Sequence, residues 1–196
     1  MKSKRGPICM VVGFLLLLSA IGLMGYNKWQ ERQSEQVISE VMEEMEQVVV
    51  PVKRKEKELP KQLQSVTIDG YEYIGILSLP TVGKEFPILK SWSDDLLKIS
   101  PCRYKGSYLK DNMIIAGHNY STGFGLLKSL EIGDPVEFTD TIGNTQEYEV
   151  LNIEIIEGTD IQGMEEKVGD GWDLTLFSCT YGGQSRYAVR CAKVEE

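Results

Sequence analysis

Histidine is nearly absent from this chain, and cysteine is scarce and widely spaced. The 196 residues include one histidine and four cysteines, and no two cysteines have the CxxC spacing of a structural zinc site. Positive charge is also in short supply, because 21 lysines and arginines oppose 29 acidic residues and give a formal net charge of −8. A general nucleic-acid-binding protein would present a basic surface. These scarcities argue against a zinc-stabilised domain, a histidine-rich metal protein and a nucleic-acid partner.

The overall composition fits one globular domain with an appendage. Hydrophobic residues make up 42% and charged residues 26% of the chain, close to globular averages. This balance excludes a wholly disordered chain and a protein with many membrane spans. Nineteen glycines and seven prolines indicate a fold rich in turns.

An uncharged run at residues 8–26 (ICMVVGFLLLLSAIGLMGY) predicts a transmembrane helix. As a helix it would be about 28 Å long, which matches the hydrocarbon core of a bilayer. Lys2, Lys4 and Arg5 precede it, so the positive-inside rule places the N-terminus in the cytoplasm and the remainder of the chain outside. The alternatives are a buried core helix and a cleaved signal peptide, but the run is long and no clear A-x-A cleavage site follows it. We therefore expect residues 1–26 to form a cytoplasmic tip and an uncleaved, single-pass anchor in the cell membrane.

Residues 27–65 are polar and predict a stalk. Four apolar residues in its first half recur at helical spacing: Val37, Val41, Met45 and Val48. This spacing predicts an amphipathic helix over about 31–49. The charge-dense stretch KRKEKELPK follows and indicates a solvated linker. Such a helix could dimerise or lie on the membrane, but the simpler interpretation is a spacer that holds a domain away from the membrane.

From residue 66 to 196 the sequence predicts a mostly β domain. Short apolar and β-branched runs alternate with turn residues: EYIGILSLP, FPILK, NMIIAGH, PVEFTD, QEYEVLNIEII, WDLTLFSC and RYAVRCAKV. Runs of this length and spacing are typical of the strands of a sandwich or barrel. Helical material is limited to short pieces near residues 93–99 and 124–130.

Few residues in this domain could perform nucleophilic catalysis. His118 ends the run MIIAGH and Cys179 ends the run DLTLFSC, so each lies at a strand end beside a loop, where a β scaffold displays functional groups. A hairpin across TYGGQS would hold Arg186 beside the end of the Cys179 strand. A thiol near a base and a guanidinium could attack a carbonyl and bind the resulting oxyanion. Each residue alone is more often structural, so spacing by itself goes no further than a cysteine hydrolase or transferase.

The segments around these residues resemble the sortase family. The sequence TLFSC at 175–179, followed by Arg186, resembles the sortase signature Thr-Leu-x-Thr-Cys with its strand-borne arginine, and MIIAGHNY resembles the segment that carries the sortase histidine. YIGILSLPTVGKEFPIL at 73–89 is similar to the family's opening strands. FGLLKSLEIGDPVEF at 124–138 is similar to the helix, turn and strand that follow the histidine. The resemblance covers roughly residues 70–193, with the motifs in the family's order.

This resemblance implies an eight-stranded sortase β-barrel and a cysteine transpeptidase at a Gram-positive cell surface. Cys179 would attack the carbonyl between Thr and Gly of a motif similar to Leu-Pro-x-Thr-Gly in surface proteins. His118 would act as general acid and base, and Arg186 would hold the oxyanion or a carbonyl of the motif. An amine from a peptidoglycan precursor or a pilin would release the acyl group. No cofactor is required for this chemistry.

The sequence departs from the family pattern at two positions near the cysteine. Ser178 stands where the signature has threonine, but it keeps the hydroxyl. Arg190 lies four residues after Arg186, so both arginines point to one face of the strand. Arg186 is level with the cysteine and fits the family arginine better, and we expect Arg190 to be a solvated strand position. The short stretch between residues 154 and 175 argues against class B, and the lack of an Asp-Pro-aromatic lid motif argues against class C. These features favour a compact class A, D or E type and leave the class open.

Two other functions and a dependence on calcium stay open at this point. The domain could be a membrane-tethered cysteine protease that only hydrolyses, or a non-catalytic surface domain that binds a peptide or the cell wall. The acidic residues Glu154, Glu157 and Asp160 could bind calcium, although scattered carboxylates are more often part of a solvated surface.

The other two cysteines of the domain have different expected environments. Cys191 lies five residues beyond Arg186, so it should face the barrel interior and pack as a small hydrophobe. Cys102 follows Pro101 in a segment that resembles a loop and could lie near the site. We do not expect these two cysteines to form a disulfide, because nothing in the sequence brings their Cα atoms within about 7 Å.

Overall fold

The computed structural model describes residues 5–49, 60–165 and 171–194. These residues form a long N-terminal helix, a sheet of nine strands and two short helices. In chain order they are α1 (Arg5–Val48), β1 (Val66–Ile68), β2 (Tyr71–Leu79), β3 (Lys84–Leu89), α2 (Asp94–Leu97), β4 (Cys102–Lys105), β5 (Met113–Gly117), β6 (Pro135–Asp140), β7 (Thr145–Glu157), α3 (Ile161–Glu165), β8 (Leu174–Cys179) and β9 (Ser185–Lys193). Short 3₁₀ helices occupy Pro80–Val82, Tyr108–Lys110 and Phe124–Ser129.

Eight of the strands close into a barrel. Their order is β2-β3-β4-β5-β8-β9-β7-β6, and β6 pairs back with β2 to complete the ring. The pairs β3–β4 and β5–β8 are parallel, whereas the other neighbours are antiparallel. β1 is a three-residue extension on the start of β2. The predicted eight-stranded β-barrel is confirmed.

β7 shows how the alternation in the sequence becomes two buried faces. Gln146, Tyr148 and Val150 alternate with exposed residues, as expected of a strand with one face in the barrel interior. The register with β9 then shifts between Val150 and Asn152, which marks a bulge. A bulge reverses the phase of the side chains that follow it. Ile156 is consequently buried in a small cluster separate from the main core.

The main core fills the barrel interior with side chains from every strand except β1 and β4. The inward residues of β8 and β9 include Leu174, Leu176, Val189 and Cys191, all wholly buried. The prediction that Cys191 faces the interior is therefore confirmed. Burial in this apolar setting raises the pKa of its thiol above the ordinary range.

The first part of α1 carries the predicted membrane anchor. An 18-residue window in this helix has a mean hydropathy of 2.5, and none of it is buried inside the protein. By length and composition it is one helix that could cross a membrane, which fits a single-pass anchor. Lys2 and Lys4, on which the predicted orientation depends, lie outside the described residues.

The predicted amphipathic helix is present, although Val48, which the sequence placed on its apolar face, is 56% exposed. The interpretation of the stalk as a spacer is wrong for residues 31–49. This segment continues the anchor helix without a break and packs on the outside of the barrel. Its buried apolar side chains contact the barrel cluster formed by Ile68, Tyr73, Ile76, Leu89 and Cys102. An apolar stripe at helical spacing needs a partner surface, and here that partner is the barrel itself. The predicted solvated linker falls almost entirely on residues 50–59, which lie outside the described residues.

Both predicted short helical pieces are present. α2 begins after Ser93, whose hydroxyl accepts a hydrogen bond from the Leu96 amide at 3.1 Å and caps the helix. The 3₁₀ turn Phe124–Ser129 follows the loop after β5. α3, which contains a glycine, was not predicted from the sequence.

Candidate active site

β5, β8 and β9 lie side by side and bring the three predicted residues to one end of the barrel. β5 and β8 run parallel with Gly117 opposite Ser178, so His118 and Cys179 leave neighbouring strands at the same level. Adjacent strands are about 4.8 Å apart. β9 runs antiparallel to β8, and Arg186 lies directly opposite Cys179. His118 precedes Cys179 by 61 positions and Arg186 by 68 positions. The strand order nevertheless makes the three residues neighbours.

A cavity of about 290 Å³ opens at this end of the barrel and is lined by His118, Cys179 and Arg186 together. The three side chains are half-buried, so they border the cavity and still reach solvent. Much of the remaining wall is aromatic or apolar: it includes Trp92, Leu97, Tyr104, Ile161, Met164 and Phe177. The ring centroid of Tyr104 lies 5.4 Å from that of Trp92 and 5.5 Å from that of Phe177, both edge-on. The cavity can therefore hold an apolar side chain of a ligand beside the three polar groups.

Close packing fixes the position of His118. A Cβ on Gly117 would lie 2.4 Å from the ring of Phe124, so only glycine lets the loop after β5 fold back so tightly. The Tyr120 ring covers the imidazole, with 5.0 Å between the ring centroids. The imidazole is thus held between a strand end and an aromatic ring.

The electrostatic surroundings of His118 favour the neutral imidazole. Burial lowers the pKa of the imidazole below the ordinary value of 6.5 and is the largest effect. The charge of Asp94 raises this pKa and the charge of Lys98 lowers it, each by less than burial does. A neutral imidazole at neutral pH can accept a proton from a neighbouring group.

The β8–β9 hairpin fixes Arg186 at the cavity. Its Nη1 donates hydrogen bonds to the carbonyls of Gly183 at 2.9 Å and Ser185 at 3.2 Å. Gly182 and Gly183 adopt φ angles of 90° and 75°, which only glycine takes readily, so the Gly-Gly pair in the sequence makes this tight turn. The guanidinium is a permanent positive charge placed opposite the candidate nucleophile.

Comparison with known proteins identifies the family. A family model for the sortase domain matches residues 77–194, well over half of the chain. The chain belongs to the sortase family. Sortase A of Bacillus anthracis is 28% identical over 144 residues, in a match that covers 65% of this chain and 63% of that protein. The chain therefore aligns with less than two thirds of that curated relative's length.

Solved sortase structures share the fold. Sortase C1 from Streptococcus agalactiae is 27% identical, with a TM-score of 0.56 over 66% of this chain and 72% of that one. A sortase D5 transpeptidase of Clostridium perfringens is 18% identical, with a TM-score of 0.59 over 84% of this chain and 99% of that one. The resemblance seen in the sequence motifs is confirmed at the level of the family and the fold.

The expectation that Arg190 of this sortase is a solvated strand position is wrong. Its side chain is wholly buried, because α3 covers this part of the face it shares with Arg186. The guanidinium lies 4.4 Å over the ring of Trp172. It donates hydrogen bonds to Glu154 Oε1 at 2.7 Å, Thr175 Oγ1 at 3.0 Å and the carbonyls of Met164 at 2.9 Å and Gly163 at 2.7 Å. Arg190 thus ties α3 to the barrel, whereas Arg186 faces the cavity.

Cys102 is likewise not in a loop near the site. It begins β4, is wholly buried in the cluster beneath α1, and donates a hydrogen bond from Sγ to the Ser100 carbonyl at 3.3 Å. Burial raises the pKa of its thiol to about 12. Cys102 and Cys191 are both free and lie in separate clusters, as expected of two cysteines that do not pair.

The sequence did not identify the other residues of the cavity wall. Trp92 and Tyr104 come from the segment between β3 and β5, and nothing in their spacing connects them with the cysteine. Two of the three carboxylates regarded as scattered surface, Glu157 and Asp160, also border the cavity. The third, Glu154, pairs with Arg190.

Proposed function

We propose that this sortase is a membrane-tethered cysteine transpeptidase whose active site is the cavity at the ends of β5, β8 and β9. The observation that carries this proposal is the convergence of His118, Cys179 and Arg186 on that one cavity. His118 is the single histidine of the chain, so no other imidazole can take the role of acid and base.

The first half-reaction forms a thioester. Neutral His118 first takes the proton of the Cys179 thiol, which gives a thiolate and an imidazolium. The Cys179 thiolate attacks the carbonyl carbon between Thr and Gly of a peptide similar to Leu-Pro-x-Thr-Gly, and an S–C bond forms. Arg186 stabilises the negative charge on the carbonyl oxygen. The C–N bond to glycine then breaks, and imidazolium His118 gives its proton to the leaving amine. The half-reaction needs no group beyond these three side chains and the peptide.

The second half-reaction transfers the acyl group to an amine. The amine nitrogen attacks the thioester carbon while neutral His118 takes one of its protons. The new C–N bond forms, the C–S bond breaks, and the thiolate is restored. Water can replace the amine, and the outcome is then hydrolysis.

The partners follow from the family and from the anchor. We propose surface proteins with a C-terminal sorting motif as acyl donors, and an amine of a peptidoglycan precursor or a pilin as acceptor. The N-terminus lies in the cytoplasm and the barrel outside, where both partners are found. The apolar wall of the cavity fits the leucine and proline side chains of such a motif.

Mass spectrometry of the full chain in detergent micelles tests this function. The protein is incubated with a Leu-Pro-x-Thr-Gly peptide, with and without triglycine or diaminopimelate as acceptor. We expect a thioacyl adduct on Cys179 and a ligated product that appears only with the amine, and we expect neither for Cys179→Ala. Hydrolysis at a rate that the amine does not change would favour the protease. Peptide binding without an adduct, equal in Cys179→Ala, would favour the binding domain.

A further inference from the structure

A buried carboxylate on the anchor helix contacts the loop that follows His118. Glu31 lies five residues beyond the apolar run, yet only 8% of its surface is exposed. Its Oε1 accepts hydrogen bonds from the Ser121 amide at 2.6 Å, from the Thr122 amide at 3.4 Å and from the Ser121 hydroxyl. Its Oε2 accepts one from Lys28 Nζ at 2.7 Å. The bonds from Ser121 and Thr122 join parts of the chain that are 90 and 91 residues apart.

Glu31 makes these contacts as an anion. Burial by itself would raise the pKa of this carboxyl group, but hydrogen bonds from Lys28 and Ser121 and the charge of Lys28 outweigh it and lower the pKa to about 2. A charged acceptor strengthens hydrogen bonds to backbone amides. The loop is therefore held by a carboxylate that is ionised at neutral pH.

The loop that Glu31 holds also carries the ring that packs on His118. Ser121 follows Tyr120, whose ring lies against the imidazole. The Tyr120 carbonyl accepts hydrogen bonds from the amides of Gly123 and Gly125, both at 3.0 Å, so the loop is a compact turn. His118 has the catalytic cavity on one side, and on the other it borders a second cavity of about 650 Å³ whose far wall is α1.

We propose that Glu31 is a positioning residue for His118, acting from the anchor helix through the Ser121–Thr122 backbone and Tyr120. The contact fixes the loop so that the imidazole stays beside Cys179, and α1 is in this sense a part of the active site. This inference rests on the proposed transpeptidase function, in which His118 acts as general acid and base.

Docking of α1 does not depend on Glu31. The buried apolar residues Val41 and Met45 lie ten and fourteen positions further along the helix, about 15–21 Å away along its axis. Removal of the carboxylate should therefore free the loop without releasing the helix from the barrel.

Three variants of the full chain, reconstituted in nanodiscs, test the proposal. They are Glu31→Ala, Glu31→Gln and the control Glu44→Gln. Glu44 is exposed on the same helix. We expect Glu31→Ala to lower kcat for transpeptidation about tenfold to a hundredfold with little change in KM for the peptide, since small misplacement of a catalytic group has effects of this size. Glu31→Gln keeps an acceptor oxygen but loses the charge, so its loss should be smaller, and Glu44→Gln should match the parent.

Two readouts separate positioning from general damage. Hydrogen exchange of the Ser121 and Thr122 amides should quicken in Glu31→Ala while exchange at Val41 and Met45 stays as in the parent. The C2 proton of the single histidine should titrate closer to the ordinary pKa in NMR spectra of Glu31→Ala, because the loosened loop leaves the imidazole more hydrated. The charged neighbours Asp94, Lys98, Arg186 and Lys28 remain in all variants.

Several outcomes would overturn the inference. It fails if kcat and the His118 titration of Glu31→Ala match those of Glu44→Gln. It also fails if exchange rises along the whole of α1, because Glu31 would then be a docking residue only. Ser121→Ala offers a second variant that removes one hydroxyl donor, and a double-mutant cycle with Glu31→Ala must show coupling in kcat. If the parent protein forms no thioacyl adduct, the proposed function falls and the role of Glu31 falls with it, whereas turnover in the parent and in Glu31→Ala alike removes the inference alone.

Discussion

Arg186 and Arg190 are two arginines on the same face of β9, but they lie in different surroundings. Arg186 borders the cavity opposite Cys179, whereas Arg190 is buried under α3 with hydrogen bonds to side chains and carbonyls. The difference arises because α3 covers only the second half of that face. Periodicity predicted the shared face but could not locate the covering helix.

Substitution by lysine should therefore have different effects at the two arginines. Arg186→Lys keeps the charge but loses the planar fork, so we expect kcat to fall about tenfold or more with an unchanged free energy of unfolding. Arg190→Lys loses several buried hydrogen bonds, so we expect the free energy of unfolding to drop by about 1–3 kcal/mol. Urea denaturation and transpeptidation assays measure the two effects. A stable Arg190→Lys protein with reduced kcat would instead place Arg190 in the chemistry.

His118 should reveal its role through the rate and through pH. His118→Gln should lower kcat by about 10²–10⁴-fold, the usual contribution of general acid–base catalysis. Because burial lowers the pKa of the folded imidazole, the unfolded chain binds the proton more readily, and stability is lost as pH falls below about 6.5. Urea denaturation between pH 7 and pH 5 should show a smaller loss in His118→Gln than in the parent. An equal loss in the two proteins would mean that the imidazole is not buried.

The residues of the candidate site could be predicted because strand ends and motif order are local features of the sequence. His118, Cys179 and Arg186 each end or begin a run that the sequence defines, and the strand pairing places all three at one cavity. Trp92 could not be predicted, because its place in the wall depends on the path of the chain between β3 and β4. Cys102 was misplaced for a related reason: a strand of four residues leaves too short a pattern to recognise.

At the scale of elements, α1 joins two features that the sequence presents separately. The apolar run and the amphipathic stripe were each recognisable, but their continuity in one helix of 44 residues was not, because polar residues between them suggested a boundary. The partner surface of the stripe comes from β1, β2, β3 and the start of β4, which follow later in the chain. Only the assembled barrel presents that surface.

A matched pair of valines tests whether α1 is docked. Val41 is buried at 1% exposure, and Val48 on the same helix is 56% exposed. Val41→Ala should destabilise the docked helix by about 2 kcal/mol, whereas Val48→Ala should leave it nearly unchanged. Hydrogen exchange of residues 31–48 in the full chain measures this difference. Equal effects of the two substitutions would support the spacer interpretation instead.

At the scale of the whole molecule, α1 connects the predicted membrane anchor with the candidate active site. The helix that carries the anchor also contacts the loop after His118 through Glu31, and it packs on the barrel further along. Met24, at the end of the apolar run, and His118 line the same cavity. We therefore expect the candidate active site to lie close to the membrane surface, at a height that α1 sets.

The four cysteines provide a test of this arrangement in cells. Cys102 and Cys191 are wholly buried, Cys9 lies in the apolar run, and Cys179 is half-exposed at the cavity. A membrane-impermeant maleimide added to intact protoplasts of a Gram-positive host should therefore modify Cys179 alone, since it would be the one thiol in contact with outside water. The Cys179→Ala protein should take up no label until it is solubilised and unfolded in urea, when the other thiols become reactive.

Labelling of Cys179 only after the membrane is permeabilised would place the barrel inside the cell and overturn the predicted orientation. Rapid labelling of Cys179→Ala in intact protoplasts would mean that Cys102 or Cys191 is accessible, and the packing described for β4 and β9 would then be wrong.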